Sequence, residues 1–253
     1  MNILNTLNDK LLQQSFDDLD LSARLPYCQF IAQAYARVEN SISVLSDLKA
    51  NKSYIYNGGT AAALGLEHNA NAEEIASIWE EDIFRKIRPG DLLEKYALEL
   101  RFFHLLKGLP VTERSDYQVV SYLHMHDKDN KLVRVLHRMF YIQSTDDGNI
   151  WLALCLYNLA YDAGNSDAYY GVIVNTRTGK VILPNEDEFN NILSEREKDV
   201  LRLIKNGKRS KDIASILSIS INTVNRHRQN ILEKLHVRNA MEACRIAESV
   251  KLI

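Results

Sequence analysis

Ser220-Ile221-Asn222-Thr223-Val224-Asn225-Arg226-His227-Arg228-Gln229-Asn230-Ile231-Leu232-Glu233-Lys234-Leu235 places three kinds of side chain on three sides of one helix. At about 100° per residue, with Val224 at zero, Ile231 and Leu235 fall within about 20° and Leu232 about 80° away, a stripe to be buried. Asn222, Asn225, Arg226 and Gln229 lie together between about 100° and 200° on the same wheel. Thr223, His227, Asn230 and Lys234 occupy one flank between stripe and face. Asn and Gln amides pair two-point with adenine, and a guanidinium with guanine, on the major-groove edge. The hydroxyl, imidazole, amide and ammonium of the flank suit phosphate oxygens, which fix register without carrying sequence information.

Any surface helix has a polar face, so the surroundings carry the weight. Ser194 followed by Glu197 forms a capping box, and the helix it opens carries Val200, Leu201 and Ile204 before Gly207 stops it. Ser210 is expected to cap a second helix with Ile213, Ala214, Ile216 and Leu217 as its apolar face. Ser218-Ile219-Ser220 is then a very short turn, and Ser220 caps the helix quoted above. Two capped helices joined in this way, behind a third, make a helix-turn-helix.

The pattern Leu193-Ser194, Arg196-Glu197, Val200-Leu201, Gly207, Lys211, Ile213-Ala214, Leu217, Ser220, Thr223-Val224, His227, Asn230-Ile231, Lys234-Leu235 resembles the LuxR/GerE-type helix-turn-helix. The resemblance covers about a quarter of the chain and implies binding to double-stranded DNA, with bases read from the positions of Asn225, Arg226 and Gln229. The family often has Lys at the first of these positions and a small apolar residue at the second, so the resemblance does not transfer an operator sequence. Val237 to Val250 reads as a fourth helix whose small face, Ala240, Ala243, Cys244 and Ala247, serves dimer contacts in the resembled family or packing within the domain.

Charge divides the chain in the same place. From residue 191 onward there are 13 Lys and Arg against 7 Asp and Glu, a net of +6, whereas the first 190 residues hold 18 against 26, a net of −8. A basic module on an acidic body suits phosphate neutralisation with counterion release. The 253 residues, 46% hydrophobic and 25% charged, give room for two domains. Cys28, Cys155 and Cys244 are far apart and odd in number, which argues against a disulfide framework and a Cys-rich zinc site. Without a membrane-length apolar run or a secretory leader, a cytoplasmic location is expected.

Upstream, residues 3 to 15 and 24 to 38 have helical apolar spacing, the latter through Phe30, Ile31, Ala34 and Val38. Strand-like runs follow at 41 to 47 and 52 to 56, then a break at Asn57-Gly58-Gly59, short helices around 60 to 65 and 73 to 87, and a long helix opened by Pro89-Gly90-Asp91. Tyr117 to His126, Leu132 to Gln143 and Ile150 to Leu159 make an antiparallel meander, and 169 to 183 reads as a further hairpin. This order, with Tyr54-Ile55-Tyr56-Asn57 before Ala63-Leu64-Gly65 and with Arg88-Pro89-Gly90-Asp91 entering the long helix, resembles a PAS domain. The expected fold is therefore α+β: a PAS-like sensor and dimerisation domain over 1–183, a linker over 184–191 and a small all-α helix-turn-helix domain over 192–253.

No cofactor motif stands out, so the cofactor is unknown. Neither Cys28 nor Cys155 has the flanks of a flavin-reactive cysteine, and lone His104 on a helix reads as a packing residue rather than a haem ligand. His124 and His126 share one strand face while His137 has opposite parity, against a three-His metal site. The reading is a homodimeric, signal-responsive transcription regulator, not an enzyme, with DNA, a second copy, RNA polymerase and an unnamed small-molecule or protein signal as its partners. The alternative is a sigma-like subunit or an enzyme carrying a related helix-turn-helix. The acidic, β-containing body offers neither a basic, all-helical melting region nor a phosphate loop or nucleophile elbow.

Overall fold

Ile42–Asp47 (β1) is buried at all six positions because both its edges are paired and both its faces covered. Lys52–Asn57 (β2) runs antiparallel along one edge and Ile150–Leu159 (β6) along the other. The structure is a computed structural model and describes residues 3–16, 23–66, 72–160, 171–183, 193–235, 237, 239–249 and 252–253. The linker expected at 184–191 lies outside the described residues. The chain divides into two compact units, one over 8–183 and the other over 1–7 with 184–253.

The larger unit is built on one antiparallel sheet. Its other strands are Ala72–Ile75 (β3), Tyr117–His126 (β4), Leu132–Ser144 (β5), Gly171–Asn175 (β7) and Val181–Ile182 (β8), and the spatial order is β3-β2-β1-β6-β5-β4-β7-β8. The sheet thus starts at an inner strand, β1, the chain leaves it through helices, and it returns as a meander whose last strand, β6, pairs with the first. Strand β4 alternates buried and half-buried residues along most of its length, whereas β6 is buried from Ile150 to Tyr157 on both faces. His137 lies opposite Ser121 and His124 opposite Arg134, so their parities differ.

Helix Leu25–Val38 (α2) covers one face of the sheet and Pro89–Lys107 (α5) the other. Between them in the sequence come Gly59–Leu64 (α3) and the single turn Glu81–Phe84 (α4), and Ile3–Leu12 (α1) precedes them. The α5 face is held by Phe102 stacked on Tyr141 at 5.2 Å and by a cluster of Trp79, Phe84 and Tyr96. Asp91 ties the start of α5 to β4: its carboxylate accepts from Arg88 Nε at 2.8 Å and from the His124 amide at 2.6 Å.

Two expectations need correction. Residues 72–75 are not helical but form an edge strand on β2, where the backbone of Ala-Glu-Glu-Ile gains a ladder and Glu74 pairs with Lys52 at 2.6 Å. Helix α2 does not bury the Phe30, Ile31, Ala34 and Val38 side. It lies on the sheet through Cys28, Ala32 and Ala36, packed with Leu45, Tyr56, Leu152, Leu154 and Leu156. The sheet already supplies large side chains at that seam, and close approach of a helix leaves room for small ones.

Candidate nucleic-acid interface

In the smaller unit Glu195–Lys205 (α6), Ser210–Leu217 (α7), Ile221–Lys234 (α8) and Ala240–Ser249 (α9) form a helical domain. Ser194 caps α6 with its hydroxyl accepting from the Glu197 amide at 3.3 Å, and Glu197 answers by accepting from the Ser194 amide at 2.7 Å. Helix α7 begins one residue earlier than expected. Arg209 is its N-cap and Ser210 already helical, because Asp212 accepts from the Arg209 amide at 3.2 Å and so fixes the entry without the serine hydroxyl.

The turn into α8 is sharp. Ser218 adopts a left-handed conformation with φ of 52°, and the Ile219 amide returns to the Ala214 carbonyl at 3.0 Å. Arg196 on α6 donates to the Leu217 carbonyl at 2.6 Å, which holds the end of α7. Ser220 then caps α8 by accepting from the Thr223 amide at 3.0 Å.

On α8, Val224, Ile231 and Leu235 are buried, the stripe the wheel selects, and Leu232 is half-buried. Asn222, Asn225, Arg226 and Gln229 are exposed. Gln229 donates to Glu233 at 3.1 Å, which orients its amide along the helix. Four groups able to meet base edges therefore stand on one solvent-facing side of a helix fixed by its opposite side.

The flank residues differ among themselves. The exposed Thr223 shares its hydroxyl with Ser220 at 2.8 Å, while His227 and Asn230 are half-buried and His227 Nδ1 is buried without a hydrogen-bond partner. Lys234 departs furthest from the phosphate role assigned from sequence. Its ammonium lies 2.6 Å from Glu197 Oε2, and its side chain is 21% exposed. Burial alone would raise the Glu197 carboxyl, but Lys234 and the Ser194 amide and hydroxyl outweigh it and hold it below the usual carboxylate range. Nothing in the spacing alone marked Glu197 as the junction of α6 and α8, although its capping-box position did mark it as a fixed carboxylate.

A second basic group escaped the sequence reading: Lys208, Arg209 and Lys211 are exposed around the start of α7. The small face of α9 is used inside the domain, where Ala243, Cys244 and Ala247 are buried and Cys244 Sγ lies 3.9 Å from the Leu201 carbonyl. Lys205 and Glu248 form an ion pair between α6 and α9.

A profile of the bacterial regulatory proteins of the luxR family matches residues 191–247. Those residues are a LuxR-type DNA-binding domain. The chain is also similar to an uncharacterized response regulatory protein of Escherichia coli, YgeK, at 29% identity over 138 residues, 51% of this chain and 92% of that protein. It is 51% identical over 53 residues to the transcriptional regulatory protein DesR of Bacillus subtilis, 21% of this chain and 27% of DesR. It is 45% identical over 60 residues to the regulatory protein SdiA of E. coli, 24% of this chain and 25% of SdiA. The LuxR-type match thus spans about a fifth of the chain, and the DesR and SdiA likenesses cover about a quarter of those proteins. No described helix is long and apolar enough to cross a membrane.

Proposed function

We propose that the whole protein is a sequence-specific transcription regulator that binds a two-fold-related operator as a homodimer, with the Asn8–Leu183 unit receiving the signal. The observation that carries it is the exposed row Asn222, Asn225, Arg226 and Gln229 on a helix whose other side is buried. Thr223, His227 and Asn230 are assigned to phosphates beside that row, and Lys234 to bracing the helix. One such helix reads few base pairs, and pairing two half-sites about one turn apart multiplies specificity.

The PAS-like reading of the larger unit is supported by its topology: two adjacent first strands, intervening helices, one long helix against the sheet, then a three-strand meander that returns to the first strand. The relatives are named as regulators, and the protein is read as non-enzymatic and at work in the cytoplasm, with RNA polymerase as its downstream partner. Selection of bound DNA from a random pool with the full-length chain tests the reading. Enrichment of an inverted repeat supports it, and failure of both the full chain and the isolated 185–253 segment to bind any DNA overturns it.

A further inference from the structure

The edge strand β3 places Glu73 and Ile75 on the sheet face that carries Ile55, because Glu73 lies opposite Ile55 and Ile75 opposite Ser53. With residues of the segment from Ser77 to Arg85, these strands line a cavity of about 430 Å³. That size falls within the range of about 300–1,000 Å³ usual for small-molecule sites. Ile42, Ile55 and Ile75 on the strands, with Leu66 and Ile83, give it apolar walls.

Its charged groups are graded by depth. Glu81, Asp82 and Arg85 are exposed, Glu73 is half-buried, and Glu80 is 4% exposed. Four carboxylates thus share the lining with one guanidinium, a net of −3 when all are ionised. Arg85 is engaged at the rim, where it pairs with Glu81 and Asp82 at 3.0 Å each. A lining of this sign repels anions and concentrates cations. Glu80 is the carboxylate that lacks a counterion: the Ser46 hydroxyl donates to it at 3.3 Å, and the buried Lys95 ammonium is bonded to Glu99 at 3.0 Å. A hydroxyl donor ordinarily sits at about 2.5–3.0 Å, so even that bond is long. Among the described residues Glu80 forms no ion pair, and a carboxylate withdrawn from water in this way is costly.

The sheet face adds a second observation. Asn57 and Ile42 line the cavity, and the row they begin continues through Tyr157 and His137. The Tyr157 hydroxyl and His137 Nε2 are buried without a hydrogen-bond partner. Buried polar groups that the protein leaves unserved are places where a ligand or water supplies the missing bonds.

We propose that this cavity binds a small organic cation, a protonated amine or amidine on an apolar body, with its charge held against Glu80. The proposal rests on the reading of the larger unit as the signal receiver and names the chemical class of that signal. A metal ion does not fit, since among the described residues no three His, Cys, Asp or Glu side chains converge. The isoleucines take the apolar body, and the cationic head supplies the counterion that neither a neutral nor an anionic isostere brings.

Benzamidinium, benzamide and benzoate share one ring and differ in charge, so they separate charge preference from apolar capacity. The full-length protein, labelled at its isoleucine methyls, is titrated with each at about pH 8, above the value of about 7 to which burial raises Glu80. Benzamidinium should bind with a dissociation constant of about 1 mM or below and move the methyl signals of Ile42, Ile55, Ile75 and Ile83. Benzamide and benzoate should bind at least about tenfold more weakly, a comparison that requires no variant to fold. Glu80→Gln should lose at least about tenfold in benzamidinium affinity. Glu74→Gln, one position along β3 on its other face and paired with Lys52, should lose nothing. The inference is overturned if benzamide or benzoate binds as tightly, if benzamidinium leaves these methyls unmoved, or if it shows no saturable binding up to about 10 mM. Any of these leaves the signal-receiving reading to a ligand of another class. If benzamidinium binds at these methyls and operator affinity is the same with and without it, the cation site stands and its part in signalling falls.

Discussion

The Lys234 ammonium lies 2.6 Å from Glu197 Oε2 and joins the last turn of α8 to the first turn of α6. Glu197 is 3% exposed and also accepts from the Ser194 amide, so one carboxylate fixes a helix start and the far end of the recognition helix at once. Lys234→Met, which keeps the stem and removes the charge, should destabilise the domain by about 1–3 kcal/mol, the range for a hydrogen bond to a charged group. It should leave the slope of log affinity against log salt unchanged, because a cation neutralised within the protein releases no counterions from DNA. A slope shallower by about one unit would instead return Lys234 to the phosphates.

The same junction has a pH signature. Glu197 is held below its usual value in the folded domain, so its contribution is present above the unfolded value near 4.5 and is lost as pH falls through the folded value. Glu197→Gln should remove that part of the acid limb from the unfolding of the domain. An unchanged acid transition in the variant would show that the pair contributes nothing to it.

Arg226 is exposed on the reading face, whereas Gln229 is already turned toward Glu233. Arg226→Ala should cost about 1–3 kcal/mol on the selected operator and relax base choice at one position of each half-site. Equal losses on operator and random DNA would make it a phosphate contact.

The second unit was legible in detail because each of its signals is local: Ser194 with Glu197, Gly207, Ser220 and the spacing of Val224, Ile231 and Leu235 act within one or two turns. The exception is the α7 cap, where Asp212 and Ser210 competed for the same helix start and the carboxylate won. In the larger unit the strands from β4 to β6 and helix α5 could be read from alternation, prolines and turns. Residues 72–75 could not, since Ala-Glu-Glu-Ile has no strand signature and is held only by its ladder to β2. Helix α2 misled for a physical reason: with apolar residues on two sectors, periodicity shows an apolar face but not which one meets the sheet, and here the smaller residues do. The Lys234 pairing spans 37 positions and has no sequence signal at all.

Gly58 sits where the break after β2 passes α2 and β1. A Cβ built there would lie 2.4 Å from the Ala36 carbonyl oxygen and 2.6 Å from both the Asn40 carbonyl carbon and the Ser41 carbonyl oxygen, all backbone atoms. Its own amide donates to the Ser41 carbonyl at 2.8 Å, so the segment cannot simply swing away. Gly58→Ala should destabilise the larger unit by about 3 kcal/mol or more, at the upper end of overpacking costs. Gly179, with open space around it but φ of 72°, is the control: Gly179→Ala should cost about 1 kcal/mol through backbone strain alone. Denaturant midpoints of the two variants separate the causes, and equal losses would refute the steric account of Gly58.

Glu80 should make the stability of the larger unit depend on pH. Its side chain is buried beside Ser46, whose hydroxyl donates to it at 3.3 Å, and its carboxyl is raised to about 7 by burial, against which the Lys95 ammonium works. Glu94 is raised to about 8 by burial and by Asp91, with Arg88 opposing. A folded value above the unfolded one means that the native state binds the proton more tightly. Stability is therefore greatest below about 4.5 and declines as pH rises, until it levels off above the folded values. Glu80→Gln mimics the protonated acid. It should leave stability unchanged at about pH 4 and raise it by about 3 kcal/mol at about pH 8. The slope from Glu94 should persist in that variant and disappear in Glu80→Gln with Glu94→Gln. Denaturant unfolding of the full-length chain at the two pH values decides the point: a gain of the same size at both would show that the substitution acts through packing and not through the buried charge.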